Sequence, residues 1–391
     1  MSSMTEPVPP VHGHCDARFE AVRTAFEENF RDRAELGAAV SVLVDGVNVV
    51  DLWAGWADGA RTRPWERDTV ANVWSTTKGP TALCAHLLAD RGLLDLDAPV
   101  AAYWPEFAAG GKESVLVRHL LAHRAGLAGL REPHTLADLY DWETTTARLA
   151  AMEPWWEPDT RSGYHALTFG HLVGEVVRRV TGVLPGEFLH REVTGPLGLD
   201  FTVGLDAKEA GRAAELVHPP VADSSQLAAL FARLEPVAVA ALANPPTGAA
   251  DANTPEWRAA EIPAANGHGT ARAIAALYGI FARRGRCGDR RVLSPEAAER
   301  VREGQGSCRD LAIGAGFVHE TELGLGLWLS GPNRSYGPNP RALGHDGFGG
   351  SCGLADPEAG LSLGYTMNRM GSHIVDDPRK MALVEAVYSA L

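Results

Sequence analysis

A serine and a lysine stand three residues apart in Ser75-Thr76-Thr77-Lys78. That spacing is close to one helical turn, so a hydroxyl and an amine would share a face. A serine hydroxyl is a poor nucleophile until a base takes its proton. A lysine held nearby and partly desolvated can take it, or can poise another base. The pair stands out because only four of the 36 basic residues are lysine: Lys78, Lys112, Lys208 and Lys380. Its plain alternative is an N-capping serine beside a solvated lysine. Residues 69–74 read as extended, and Thr81 to Leu94 reads as a helix with apolar Leu83, Ala85, Leu87, Leu88 and Leu93. Ser75 is therefore expected at or just before a helix N-terminus, where unpaired N–H groups favour developing negative charge.

Two further stretches could complete such a site. In Arg161-Ser162-Gly163-Tyr164-His165-Ala166 a tyrosine precedes a helix expected from Leu167. A phenol beside an ammonium loses its proton more readily and could act as a general base; otherwise Tyr164 is a packed surface aromatic. Gly344-His345-Asp346-Gly347-Phe348-Gly349-Gly350-Ser351 has glycine at four of eight positions. Such a backbone can approach a substrate closely and lend N–H groups to an oxyanion hole, or it is a plain turn.

The elements that must carry these residues are legible in outline. Asp16 to Arg33 has helical spacing. Ala39–Val44, Asp45-Gly46 and Val47–Trp53 read as a hairpin with a two-residue turn. Helices are expected at Ser114–Ala125, ending at Gly126, and Leu167–Thr181, ending at Gly182. Residues 203–265 are Ala- and Pro-rich with weak periodicity, as in an irregular lid or insertion. Thr270–Arg284 is helical again, and Ser294-Pro295 reads as an N-cap followed by a first-turn proline. Strand patterns return at Leu323–Leu329, Ser351–Ala355 and Leu361–Met367, and Asp376–Leu391 closes as a helix. Strands at both ends with helices between them predict an α+β fold: one antiparallel sheet built from both termini, with an inserted mainly helical domain. The sheet domain is expected over 1–70 and 270–391, and the helical domain, carrying Ser75 and Tyr164, over 71–269.

Composition sets the class of protein. Hydrophobic content of 45% with 22% charged residues is ordinary for a globular chain of 391 residues. The formal net charge of -13 argues against nucleic acid or an anionic membrane as partner. No apolar run is long enough to span a bilayer, and residues 1–10 lack the basic and apolar regions of a secretory signal, reading instead as a loose tail. Five scattered cysteines fit reduced thiols. The expectation is a cytoplasmic protein.

The three stretches, in this order, resemble the serine β-lactamase and penicillin-binding-protein superfamily, most closely the family VIII carboxylesterases with their class C β-lactamase fold. The family's S-x-x-K matches Ser75 and Lys78. Its Tyr-x-Asn matches at Tyr164, with Ala166 in place of asparagine. Its Lys-Thr-Gly matches at Gly347 alone, with His345 and Asp346 at the first two positions. Val117–Leu127 and Asn266–Ala271 look like further family elements. The resemblance implies that Ser75 is the nucleophile, Lys78 its partner, Tyr164 the base, and the N–H groups of Ser75 and Phe348 the oxyanion hole. His345, Asp346 and Gly347 would lie along the substrate. Loss of the asparagine and of the cationic lysine disfavours anionic β-lactams and leaves small carboxylic esters as the expected substrate, with no cofactor or metal. A β-lactamase, a D-amino-acid amidase or peptidase, an acyltransferase and a catalytically silent binding homologue remain as alternatives.

Other motifs compete. Gly349-Gly350-Ser351-Cys352-Gly353 spells the G-x-S-x-G nucleophile elbow, which requires a strand, a turn and a helix with an acid and a histidine downstream. Ser351 instead leads into a strand pattern, and only His373 follows. His119 and His123 have i,i+4 spacing without a third ligand, and His12-Gly13-His14-Cys15 lies on the expected tail; both read as structural. Trp155-Trp156 and Tyr103-Trp104 could wall an acyl pocket, or simply pack.

Overall fold

The computed structural model describes residues 8–218, 234–314 and 321–391. Its centre is a nine-stranded antiparallel sheet whose strands all come from the two ends of the chain. In spatial order they are His12–Cys15, Val47–Gly55, Gly37–Val44, Leu361–Met367, Cys352–Asp356, Leu343–Asp346, Trp328–Leu329, Thr321–Leu323 and Ser307–Cys308. The expected hairpin is present. Asp45 and Gly46 both have positive φ, 51° and 82°, the geometry a two-residue turn needs to match strand twist. Leu361–Met367 then pairs with Gly37–Val44, Tyr365 opposite Val40, and so joins the two ends.

Alternation along these strands sorts the layers. Val40 and Val42, with Leu363 and Tyr365, face a core shared with Phe26 of helix Glu20–Asp32 and Leu383 and Val387 of helix Pro378–Ser389. The other face receives helix Ala271–Ala282, capped by the Thr270 hydroxyl. Tyr278 of that helix comes so near that a Cβ on Gly353 would stand 2.2 Å from its ring. Beyond it lies a second core, where helix Lys78–Asp90 is buried almost all round and packs against helix Thr168–Thr181. Among the described residues, no helix is long and apolar enough to cross a membrane.

Several expected elements shift. The helix after Ser75 starts at Lys78, with Pro80 accommodated in its first turn. The Ser114–Ala125 helix shrinks to Val117–Leu121, because His123 adopts φ 57° before Gly126. Leu323–Leu329 divides into two short strands around a turn closed by Gly324 N–H to Leu327 O. His12–Cys15 is no loose tail: it pairs with Val50–Trp53 as the sheet's edge. Residues 1–7 of the expected tail, and 219–233 of the expected lid, lie outside the described residues. The rest of the lid region includes the short helices Pro236–Ala243, Ala249–Ala252 and Pro255–Ala259.

One buried ionic cluster ties the ends together. Arg379, 4% exposed, reaches Glu35 at 3.1 Å and Asp377 at 2.9 Å, and donates to Gly349 O at 2.6 Å. Glu35 also accepts the Tyr365 hydroxyl. Removing one partner of a buried pair leaves the other charge uncompensated, which costs about 3–5 kcal/mol. Arg379→Ala is therefore expected to lower unfolding stability by roughly that amount in a denaturant titration; a change below about 1 kcal/mol would show that the cluster holds nothing together.

Candidate active site

Ser75 sits in a single 3₁₀ turn, Trp74–Thr77, that runs directly into helix Lys78–Asp90. The chain enters this turn sharply, with Trp74 at φ 45°, a strained value for a bulky residue. Its surroundings enforce it. Thr77 Oγ1 donates to Trp74 O, Tyr278 OH donates to Thr76 O at 2.9 Å, and Ser351 Oγ donates to Val73 O at 2.8 Å. Val73 N–H is held by Gly267 O at 2.9 Å. Ser75 itself is only partly buried.

Lys78 is fully buried, and its Nζ has three neighbours: Ser75 Oγ at 3.0 Å, Ala166 O at 2.7 Å and Ala264 O at 3.0 Å. Among the described residues no carboxylate offsets its charge, and burial pulls its pKa well below the usual lysine value. The Tyr164 ring face lies 4.8 Å from Nζ. A cation–π contact offers an ammonium about 0.5–2 kcal/mol, whereas burying an unpaired charge costs several kcal/mol, so burial wins. A neutral amine fits its three neighbours without remainder: two N–H groups for two carbonyls and one lone pair for the serine hydroxyl.

Tyr164 lies just before helix Thr168–Thr181, as expected. Burial raises the phenol's pKa, and the neighbouring Ser75 hydroxyl only partly opposes the rise. Burial pulls the amine's pKa down and the phenol's up, and so works against the expected pair of phenolate and ammonium. His123, read above as structural, frames this loop. Its carbonyl accepts Gly163 N–H and its Nδ1 accepts His165 N–H, each at 3.1 Å, and its ring packs 5.1 Å from that of Tyr164.

The glycine-rich segment forms the opposite wall. Thr76 Oγ1 donates to His345 O, so the strand Leu343–Asp346 runs beside the serine turn. Gly347 stands where a Cβ would fall 2.1 Å from Ser351 Oγ and 2.2 Å from Val73 O, so no larger residue fits. Phe348 packs against Trp74 at 5.7 Å, and its N–H has no hydrogen-bond partner among the described residues. His345 is fully buried, its ring tilted against Trp328 at 4.8 Å and 5.9 Å from the Tyr164 ring. Its Nδ1 lies 2.7 Å from Asp346 O and so carries the proton, leaving Nε2 a bare lone pair; burial holds its pKa down to about 3.

Other expected contributors are occupied elsewhere. Asp346 alternates to the far side of its strand, where it pairs with Lys380 at 2.9 Å and accepts Asp376 N–H at 2.8 Å. It is part of the frame, not of a substrate contact. Trp155 donates to Gly129 O at 2.7 Å under the Arg131 guanidinium, and Trp156 donates to Arg161 O and backs Gly163. Trp104 is core packing with Phe107, and the Tyr103 hydroxyl accepts Asp95 N–H. Ser351 is 1% exposed and leads into a strand, which removes the nucleophile-elbow reading. The aromatic surface actually beside Ser75 is Trp74 with Trp257 and Phe348. Trp74 went unnoticed because its φ gives no signal in sequence.

The sequence matches the family described as Beta-lactamase over residues 22–387. The chain is 38% identical to "Esterase/beta-lactamase LipL" of Mycobacterium tuberculosis over 374 residues, 93% of this chain and 84% of that protein. Among solved structures it is similar to a family VIII carboxylesterase, at 44% identity and a TM-score of 0.91 over 98% of this chain and all of the other. It is also similar to a penicillin-binding-protein homologue from Caulobacter crescentus, at 40% identity and a TM-score of 0.90 with the same coverage.

The crowding at Gly347 gives a test. Gly347→Ala must push apart the 347–351 loop and the serine turn. The expected result is a loss of about 1–3 kcal/mol in stability from overpacking and a fall in ester turnover of roughly 10²-fold. Unchanged melting and turnover would mean that the two walls are not held this close.

Proposed function

This chain belongs to the beta-lactamase family, and from that premise we propose that it is a serine esterase hydrolysing small carboxylic esters through an acyl-enzyme on Ser75. One observation carries the reading: a buried lysine, with no carboxylate partner among the described residues, lies 3.0 Å from a serine oxygen. Lys78, neutral, accepts the Ser75 proton as Oγ bonds to the ester carbonyl carbon. The carbonyl oxygen, now negative, is received by the N–H groups of Ser75 and Phe348. Tyr164, its phenol kept protonated by burial, gives its proton to the departing alkoxide and is reprotonated from Lys78. In the second half the same groups take a proton from water as it attacks the acyl carbon, and Ser75 leaves with a proton restored.

The electrostatics favour an uncharged substrate. His345 presents a lone pair and no cation, and Ala166 offers only its backbone. A β-lactam carboxylate finds no ammonium waiting at either position. Ester turnover far above nitrocefin turnover is the expected outcome, and the reverse would move the assignment to β-lactamase.

Two variants test the mechanism. Ser75→Ala is expected to lower hydrolysis of a chromogenic short-chain ester by about 10⁴-fold or more. Lys78→Arg, whose guanidinium cannot become neutral, is expected to lose about 10²–10⁴-fold while the fold persists. Near-normal turnover by the serine variant would end the proposal, and full activity of the arginine variant would exclude a neutral-amine base.

A further inference from the structure

The backbone that carries Tyr164 is held from a distant part of the chain. Asp310 is 4% exposed, and a single oxygen of its carboxylate, Oδ1, accepts three backbone N–H groups: Tyr164 at 2.9 Å, Ala312 at 2.8 Å and Ile313 at 3.0 Å. Leu311 N–H donates to Ser162 O at 3.0 Å and ties the same two loops a second time. Gly314 N–H returns to Asp310 O at 3.0 Å, so residues 310–314 close on themselves. The oxygen that caps this turn therefore also grips the tyrosine. With Gly163 and His165 held by His123, three consecutive amides, 163 to 165, are committed to two residues.

A carboxylate suits the task. Its oxygens carry about four acceptor sites, and bonds to the ionised form are the stronger ones. A hydroxyl at the same place would be shorter. Burial raises the Asp310 carboxyl pKa, and its three N–H donors oppose that rise without cancelling it.

We infer that Asp310 is a positioning residue for the proposed reaction, holding the Tyr164 backbone so that the phenol stays within hydrogen-bond reach of Ser75. The inference rests on the reading of Tyr164 as a proton-transfer group. Asp310 acts only through the tyrosine. The phenolic oxygen is the far end of that side chain, so a small rotation of the peptide is magnified there. A misplacement of about 1 Å at a reacting group costs about 10²-fold.

The test uses the purified protein and a chromogenic ester. Asp310→Asn keeps an acceptor in place and is expected to hold kcat within about threefold. Asp310→Ala removes it and is expected to lower kcat roughly 10- to 100-fold with KM within about threefold, and to slow fluorophosphonate labelling of Ser75 in parallel. Thermal melting of both variants sets a temperature at which each is folded. Wild-type kcat in the alanine variant, equal losses in the two variants, or a loss no greater than the unfolded fraction overturns the inference. If the alanine chain does not fold, Asp310→Glu takes its place. It displaces the acceptor by one methylene, so its expected loss is about tenfold, and full activity overturns the inference equally. Tyr164→Phe is measured alongside. Full activity there removes the reading of Tyr164, whereas an inactive phenylalanine variant with a normal Asp310→Ala removes only the role of Asp310.

Discussion

The proposed chemistry depends on an amine left without an acidic partner among the described residues. Lys78 is surrounded by two backbone carbonyls, a hydroxyl and aromatic faces. Lys380 is the instructive contrast: equally buried, it lies between Asp346 and Asp376, which push its pKa up against the cost of desolvation. Identical side chains at similar depth have their pKa values moved in opposite directions by their neighbours, which is what the proposed role of Lys78 as a base requires.

The same contrast organises the fold. The ends of the chain meet in a sheet whose last strands bring His345, Gly347 and Phe348 to the serine turn. Charged groups are spent on fastening these parts: Arg379 reaches from the terminal helix to Gly349 O, and Lys380 reaches to Asp346. Beside the serine turn, His123, His165 and His345 are all buried, and burial drives each pKa down. Histidines held this way offer no cation to an anionic substrate.

How much of this the sequence disclosed follows from the range of each interaction. Ser75 and Lys78 were legible because their relation is local, a fixed offset on one helix. The hairpin was legible because Asp45-Gly46 names its own turn type. The sheet joining the two ends followed from where the strand patterns fall. The place of Asp346 was not legible, since one step along a strand reverses a side chain and its partner comes thirty-four residues later. Helix Val117–Leu121 was overextended because periodicity carries no trace of a left-handed residue at His123. Lysine scarcity did not by itself single out Lys78. Lys112, donating to the carbonyls of Ala109, Ala150 and Met152, and Lys380 are buried too, whereas Lys208 is exposed.

That rarity makes the central claim open to direct measurement. With four lysines in the chain, the side-chain amines can be labelled with ¹³C at Cε and followed individually by NMR as pH is raised, with Lys78→Arg identifying its signal. A neutral base at 78 predicts that this signal titrates well below the ordinary lysine range, while that of Lys380 stays charged above it. A Lys78 signal that remains protonated up to the usual lysine pKa of about 10.4 would contradict the account, because the serine would then face an ammonium with no lone pair to accept its proton.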